Sequence, residues 1–437
     1  MIKKFDASKL DEQEVNGLAK ELGFMKRSRK INAYDLIESV LFSKFETDKM
    51  SLTDHCTYLL VHKGIIVSKQ SVDERFNNKS ITFIKRLLEQ ALQEKLVRPD
   101  NFPLLDNFLK VRIKDAVNFQ LPEHLKDNYP GSGGAGSKAM LKIQFEYDLL
   151  TRQVLELQVT AFTKNDSSNA HETVDKIGAG ELVVRDLGYI SIKNMKAIAE
   201  DKGAYYLNRL KFSTIVFKKV KGKTKRCNFS QIETKMRKQN IHQMETKAYI
   251  GEEQKYPVRM IISLVPEKVR EERVRERRKY AKKKKQAVNN EVLARCGLNI
   301  FITNACEDLM PIGLVSPIYG IRWQIENIFK VWKSVGSIHK IKKMSKYRFE
   351  FYLYAKLVFL VKSWNLMRFL ELFLKENLSY YKFMKIVAVS GFDQLEKLMQ
   401  TIVSSVKTNN LIAKEFRRGR INEKSIKTTV FNCITTI

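Results

Sequence analysis

A run of alternating apolar residues that contains one carboxylate constrains the fold more than any other part of the chain. In LKVRIKDAVNF, residues 109–119, successive side chains of a strand would point to opposite faces. The side chains that share one face are Val111, Ile113, Asp115, Val117 and Phe119. A carboxylate at a core-facing position is costly unless it has a partner or a task. This pattern predicts a strand with Asp115 at a functional position.

The segments that follow extend the sheet. KAMLKIQFEYDLL (138–150) and VLELQVTAFTK (154–164) alternate in the same way and predict an antiparallel hairpin. A helix through residues 170–177 then leads to ELVVRD, a strand that ends at Asp186. Three strands, a helix and a strand with an acidic end are typical of the start of a ribonuclease-H-like α/β domain.

A second constellation lies in YGIRWQIENIFKVWK, residues 319–333, which reads as one helix. Steps of three, four and seven residues place one carboxylate among cations on a single stripe. The stripe consists of Tyr319, Arg322, Glu326, Lys330 and Lys333, and the opposite, apolar side of Ile321, Ile325, Ile328 and Trp332. The alternative is a solvated face of an amphipathic helix. We favour a carboxylate that meets a metal, flanked by groups that hold phosphates.

The charge of the chain indicates the same kind of substrate. It has 79 Lys and Arg against 48 Asp and Glu, a net charge of +31. Such an excess predicts a polyanionic partner, DNA or RNA, bound largely through counterion release. The most apolar run, residues 351–374, is interrupted by three cations and predicts a buried helix, not a membrane span. The first residues lack the apolar core of a signal peptide, so we expect a cytoplasmic protein.

The first 95 residues predict helices. The third and fourth are joined by residues 64–67, after which Ser68 can cap a new helix, and this spacing suits a helix-turn-helix. Lys69, Gln70 and Arg75 would then lie on the first turns of a recognition helix. An ordinary helical bundle with a polar face explains the segment equally well.

Three other features of the sequence are less informative about function. The loop GSGGAGSKA, residues 131–139, lacks the spacing of a nucleotide-binding loop. Five cysteines and six histidines are scattered without metal-ligand spacing, so none is a candidate zinc ligand. The basic run at 268–285 predicts a helix that is either solvated or in contact with DNA.

Five blocks of the sequence resemble, in order, those of the DDE transposases of bacterial insertion sequences, in the fourth insertion-sequence family, which includes the transposase of transposon Tn-five. The blocks are VRIKDAVNFQLPEHL, GELVVRDLGYIS, AYYLNRLKF, LNIFITN and YGIRWQIENIFKVWK. The resemblance covers roughly residues 9–375. Its most specific part is the signature Y-x2-R-x3-E-x6-K, matched in full by Tyr319, Arg322, Glu326 and Lys333.

This resemblance implies that Asp115, Asp186 and Glu326 are the catalytic and metal-binding acids. Asp115 is followed by Ala116, where the family commonly has Ser or Thr, so Asp106 remains a rival for the first acid. Three carboxylates would suit two Mg²⁺ ions, with Mn²⁺ as a substitute, that stabilise the attacking and leaving oxygens of phosphodiester cleavage and strand transfer.

The resemblance also implies a set of DNA contacts. Tyr319, Arg322, Lys330 and Lys333 would hold phosphates, and Trp323 would either stack on a distorted DNA end or pack against protein. Arg209 and Lys211 match a basic motif that the family uses on DNA.

The implied fold is a ribonuclease-H-like core interrupted by a β-rich insertion, with helical N-terminal and C-terminal domains. We expect a DNA-binding domain at 1–95, the core at 96–203 and 298–345, the insertion at 204–297, and a helical region at 346–437 that would mediate dimerisation. The implied function is cut-and-paste transposition through nicking, hairpin formation and strand transfer, by a homodimer that joins two transposon ends beside the bacterial nucleoid. The alternatives are an inactive or domesticated DNA-binding protein and a nuclease that cuts without joining.

Overall fold

The structure, a computed structural model, describes residues 11–25, 30–41, 50–93, 105–133, 137–253, 255–374 and 378–390. These residues form two units. The first contains the described residues of 1–100, 116–163 and 324–429, and the second contains those of 101–115 and 164–323. The part of the predicted C-terminal domain beyond residue 390 lies outside the described residues.

The described chain is a mixture of helices and strands, as the sequence predicts. The helices are α1 (Glu12–Glu21), α2 (Ala33–Leu41), α3 (Leu52–Lys63), α4 (Lys69–Asp73), α5 (Asn78–Gln93), α6 (Asp166–Glu172), α7 (Ile192–Lys196), α8 (Phe229–Lys238), α9 (Glu267–Lys284), α10 (Asn290–Cys296), α11 (Ile312–Ile321), α12 (Trp323–Ser334), α13 (Lys346–Leu374) and α14 (Tyr380–Ser390). The strands are β1 (Val111–Gln120), β2 (Met140–Asp148), β3 (Val154–Ala161), β4 (Leu182–Arg185), β5 (Tyr205–Arg209), β6 (Val216–Val220), β7 (Lys223–Arg226), β8 (Gln243–Ile250), β9 (Tyr256–Leu264) and β10 (Leu298–Thr303).

All ten strands belong to one sheet with the order β3-β2-β1-β4-β5-β10-β9-β8-β6-β7. Strand β4 is parallel to both β1 and β5, whereas β10 is antiparallel to β5 and β9. The predicted hairpin is confirmed, since β2 and β3 are antiparallel neighbours. This mixed α/β architecture is consistent with the ribonuclease-H-like class expected from the sequence.

The N-terminal helices of the first unit begin and end at residues suited to those positions. Ser51 and Asp54 form a capping box at the start of α3, and Gly64, with φ of 66°, ends it in the left-handed conformation that glycine tolerates. Ser68 caps α4, as the sequence predicts.

The fourth predicted helix, which begins after Ser68, is divided into two helices. Helix α4 has a single turn, and α5 starts anew because Asn77 Oδ1 accepts the backbone N–H groups of Lys79 and Ser80. A side chain that bonds nearby backbone in this way competes with continuation of the preceding helix. The segment that would serve as a recognition helix is therefore short.

Helix α13 is buried along most of its length, as predicted. The three cations within residues 351–374 are buried, and Lys356 donates to the Ser337 carbonyl while Arg368 pairs with Glu371. Across the described ranges, no helix is both long and apolar enough to cross a membrane.

In the second unit, the segment YYLNRLKFSTIVF forms two strands. Strand β5 ends at Arg209, and a turn closed by the Thr214 N–H on the Lys211 carbonyl leads to β6. The two strands pair with different neighbours, β5 with β4 and β10 and β6 with β7 and β8. A core that includes Tyr206, Phe229 and Met260 packs beneath these strands.

Candidate active site

Two of the predicted acids are neighbours in the sheet. Strands β1 and β4 are parallel, and Lys114 of one is the partner of Arg185 of the other. Asp115 and Asp186 are the next residues, and Asp186 is still extended, with φ of −73° and ψ of 167°. Since adjacent strands lie about 4.8 Å apart, the same register brings the two carboxylates side by side on one face.

The guanidinium of Arg322 lies against both carboxylates. Its Nη1 is 2.7 Å from Asp115 Oδ2, and its Nε is 4.0 Å from Asp186 Oδ1. The side chain of Arg322 is 10% exposed, that of Asp115 18% and that of Asp186 42%. A short hydrogen bond between charged groups with little solvent is among the stronger polar contacts in proteins. In this structure Arg322 is thus a counter-ion of the acids, a contact that the sequence did not indicate.

Tyr319 belongs to the same group of residues. Its ring lies 5.2 Å from that of Phe301 on β10, which fixes its position. Burial raises the pKa of the Tyr319 phenol to about 12, and the negative charge of Asp186 contributes to the rise. The hydroxyl therefore keeps its proton at neutral pH and is available as a hydrogen-bond donor.

The signature does not lie on one continuous helix, and that prediction is wrong. Helix α11 ends at Ile321 and α12 starts at Trp323, because the N–H of Arg322 bonds to the Tyr319 carbonyl three residues back. Tyr319 and Arg322 thus belong to the end of α11. Glu326, Lys330 and Lys333 are spaced by four and three residues and share a face of α12.

The apolar side of α12 holds that helix in the first unit. Ile325, Ile328 and Trp332 are buried, as predicted, and the Trp332 ring lies 5.0 Å from that of Phe145 on β2. Trp332 Nε1 also donates to the Tyr380 hydroxyl at 3.1 Å.

On the rest of α12, Glu326 and Lys333 are partly exposed and Lys330 is exposed. The Trp323 side chain is 54% exposed, which leaves its ring accessible to a ligand.

The donor set suits a hard divalent cation. Two neighbouring carboxylates, one of them well exposed, supply oxygen ligands of the kind that Mg²⁺ and Mn²⁺ prefer. Within the described ranges, no group of three or more His, Cys, Asp and Glu side chains is close enough to hold a metal. The set of three that includes Glu326 remains a prediction.

Asp106, the rival first acid, lies in an exposed turn ahead of β1 and outside the sheet. It has no partner strand to place it beside Asp186. The geometry of the acid pair favours Asp115.

A basic cavity of about 590 Å³ opens next to Asp186. It is lined by Leu187, Gly188, Lys211, Phe212, Ser213, Arg277 and Val292. Lys211 Nζ donates to the Ile190 carbonyl at 3.0 Å, and the Arg277 guanidinium lies 5.9 Å from the Phe212 ring centroid. Arg277 belongs to the basic run 268–285, for which the sequence left contact with DNA open. Phe212 was missed in the sequence, although an aromatic residue directly after the basic motif was a usable signal.

Several of the other predicted DNA contacts are engaged within the protein. Arg209 Nη2 donates to Asn299 Oδ1 at 3.3 Å. Lys69 and Gln70 on α4 are exposed, and Gln70 Nε2 donates to Glu74 Oε1 at 2.9 Å. Arg75, just after α4, is half-buried, and its guanidinium bonds to the Ser71 carbonyl and hydroxyl.

Comparisons with known proteins identify the family of the chain. The profile of the family described as Transposase DDE domain matches residues 106–361. The chain is 31% identical to the transposase for insertion sequence element IS231B of Bacillus thuringiensis subsp. berliner, over 95% of this chain and 91% of that protein. It is 32% identical to the transposase for IS231E of Bacillus thuringiensis subsp. finitimus, over 96% and 92%. It is 27% identical to the transposase for IS1151 of Clostridium perfringens, over 98% and 94%.

Proposed function

The chain belongs to the DDE transposases of insertion sequences, which act on DNA, and we propose that it moves its element by metal-dependent cut-and-paste transposition. The observation that carries this proposal is the pair of carboxylates, Asp115 and Asp186, on neighbouring parallel strands beside Arg322 of the signature. Divalent metal is a general requirement of this family, and the acid pair offers the oxygen ligands for it.

The proposed metal ligands are Asp115, Asp186 and Glu326. Bound Mg²⁺, in a two-metal arrangement that Mn²⁺ can also fill, would supply the positive charge that activates the attacking oxygen and stabilises the leaving one. The protonated Tyr319 hydroxyl would donate to a phosphate oxygen, and Lys330 and Lys333 would neutralise phosphates along α12.

The exposed Trp323 ring would stack on a base of a distorted DNA end. Arg209 and Lys211 would bind the strand that enters beside the basic cavity. Each of these roles requires the side chain to exchange its present protein contact for DNA.

The proposed reaction has four stages: first-strand nicking at the end of the element, attack of the 3′-hydroxyl on the opposite strand to form a hairpin, hairpin opening, and strand transfer into target DNA. A labelled duplex that carries the inverted repeat flanking the coding region tests it. On a denaturing gel with Mg²⁺, nick, hairpin, open end and joined product should appear in that order, and EDTA should abolish all four. Specific binding without cleavage would instead indicate the DNA-binding alternative, which the intact acid pair disfavours.

The finer architecture is part of the same proposal. We assign residues 1–95 to a helical DNA-binding domain, 96–203 and 298–345 to the catalytic core, 204–297 to a β-rich insertion and 346–437 to a helical dimerisation region. A homodimer that joins two ends would act on the bacterial nucleoid. The four strands β6–β9 between β5 and β10 support the insertion, and the long buried α13 supports a helical C-terminal region.

Lys333→Ala should slow hairpin formation about tenfold while first nicking changes less. The hairpin step bends the backbone tightly and crowds its phosphates, so the loss of one charge-assisted phosphate contact is felt most there. The slope of log K against log salt for binding a pre-cleaved end should fall by about 0.9. Lys340→Ala, which removes an exposed cation beyond α12, is the matched control. Normal slope and normal hairpin yield in Lys333→Ala would identify this lysine as a solvated side chain.

Gln70→Ala should reduce the preference for the terminal repeat over scrambled DNA by about 1–3 kcal/mol, because an amide can read a base edge. Lys69→Ala should weaken both duplexes equally, since a lysine contact with phosphate carries no sequence information. Gln70 is exposed and would exchange one bond to Glu74, whereas Arg75 is half-buried and would exchange two bonds to Ser71, so Arg75→Ala should have the smaller effect. Fluorescence anisotropy with the full chain measures all three. Unchanged preference in every variant would place end recognition elsewhere.

A further inference from the structure

Arg322 cannot make its predicted contact with DNA and its observed contact with the two acids at the same time. Its signature position implies a contact with a DNA phosphate, whereas in the structure its guanidinium is committed to the acids. The 2.7 Å bond uses Asp115 Oδ2, an oxygen that a metal ligand would have to offer to the ion. A guanidinium does not lose its proton at neutral pH, so Arg322 carries its positive charge whether it contacts the acids or DNA.

Because Arg322 is buried, its charge acts strongly on a metal ion at the same acids. The side chains of Arg322 and Asp115 are nearly enclosed, and charges that are shielded from water interact more strongly than exposed ones. A divalent cation brought to Asp115 and Asp186 would meet the repulsion of the guanidinium as well as competition for the oxygen. Without either cation, the two adjacent carboxylates would repel each other. The acid pair is therefore stabilised by positive charge, from the guanidinium or from bound metal.

We propose that Arg322 is a displaceable counter-ion that closes the metal site until DNA arrives. A DNA phosphate draws the guanidinium away from Asp115 and Asp186, and the acids become available to the divalent ion. This inference rests on the proposed function, since it takes these acids as metal ligands. It adds to Arg322 the role of a positioning residue that couples DNA binding to metal binding.

The position of Arg322 between two helices suits such a movement. It is the only residue between the end of α11 and the start of α12, and its backbone is held by the Tyr319 carbonyl. The side chain can thus change partner while both helices keep their packing. The metal-activated centre would then be assembled only on protein that has bound DNA.

Coupling of this kind is reciprocal, because DNA that raises metal affinity must itself bind more tightly when metal is present. The test measures Mn²⁺ binding directly, by the electron paramagnetic resonance signal of free Mn²⁺, on full-length protein at constant ionic strength. In the absence of DNA, Arg322→Gln should bind Mn²⁺ about tenfold more tightly than the wild type, a difference of about 1.4 kcal/mol. A terminal-repeat duplex should raise the affinity of the wild type about tenfold more than that of Arg322→Gln.

Three further variants separate the possible explanations. Arg259→Gln removes one cation of the same unit that pairs with Glu245 and should leave DNA-free Mn²⁺ binding within about twofold of the wild type. Asp115→Asn should weaken Mn²⁺ binding at least about tenfold in the Arg322→Gln background. Arg322→Lys retains the charge but loses the planar fork, so a gain of about threefold is expected. If Arg322→Gln does not fold, the Mn²⁺ affinity of Arg322→Lys without DNA tests the counter-ion role.

The outcomes distinguish this inference from the function on which it rests. Mn²⁺ binding that depends on Asp115 but is no tighter in either Arg322 variant would overturn the counter-ion role and leave the metal site standing. If Asp115→Asn leaves Mn²⁺ binding unchanged in every background, both the counter-ion role and the proposed metal site are overturned. An equal gain in Arg259→Gln would reduce the effect to general electrostatics and also overturn the inference.

Discussion

Asp115→Asn, Asp186→Asn and Glu326→Gln should each reduce cleavage of a terminal-repeat duplex about 10³-fold or more. Loss of one oxygen ligand removes several kcal/mol of transition-state stabilisation, and about 4 kcal/mol corresponds to this factor. Binding of the duplex should be unchanged or slightly tighter, because a negative charge near the phosphates is removed. A single-turnover time course on a denaturing gel, alongside a binding titration, measures both quantities.

Asp106→Asn is the matched control for this prediction. It removes a carboxylate from an exposed turn just ahead of β1 and should cleave at the wild-type rate. Full cleavage by Asp115→Asn together with loss of cleavage by Asp106→Asn would assign the first acid to Asp106. Since Asp115 bonds to Arg322, thermal melts must accompany the kinetics to show that the variant is folded.

The second large effect concerns stability. Arg112 on β1 is buried and its Nη1 donates to Glu181 Oε2 at 2.8 Å and to the Lys176 carbonyl at 2.9 Å. Lys110 Nζ donates to the other carboxylate oxygen at 3.0 Å. Arg112→Met should lower the free energy of unfolding by about 3 kcal/mol, the lower end for a broken buried ion pair, because Lys110 still compensates Glu181. Urea denaturation at pH 7 measures the change.

The double variant Arg112→Met/Glu181→Met is the control, because two packed apolar side chains often replace a buried ion pair without net loss. It should recover most of the lost stability. A single variant that loses less than about 1 kcal/mol would contradict the assignment of this pair as a structural contact.

The pH dependence of this contact follows from Glu181. Burial alone would raise the pKa of its carboxyl, but hydrogen bonds from Lys110, the Gly178 N–H and Arg112 outweigh burial and hold the pKa below the ordinary 4.5. A depressed folded-state pKa contributes stability above the unfolded value, and this contribution is lost as pH falls through the folded value. The difference between wild type and Glu181→Gln should therefore be full at pH 7 and shrink below about pH 4.

The strands and the two aspartates were predictable because their signal is local. Alternation around Asp115 and the run that ends at Asp186 each lie within about ten residues, and the period of a strand is enough to read them. Register followed only from the structure, since no local pattern tells which residue of β4 faces Lys114.

The break at Arg322 was not predictable, since apolar positions continue with helical spacing from Ile321 through Ile325. Nothing local indicates that one backbone bond will tighten to a three-residue step. The partner of Arg322 was equally hidden, because Asp115 lies 207 residues earlier in the chain. Strand β7 was missed for a different reason. Its four residues are all exposed and alternate in no apolar pattern.

The separation between Asp115 and Arg322 also affects the time course of folding. The β8–β9 hairpin joins residues close in sequence and should form early, whereas the contact of the Tyr206 N–H with Asn304 spans 98 residues. Loop closure over such lengths is entropically costly and slows folding. We therefore expect the ion pair of Arg322 with Asp115 to form among the last contacts of the second unit during refolding. On the ribosome, both aspartates emerge well before the arginine that neutralises them.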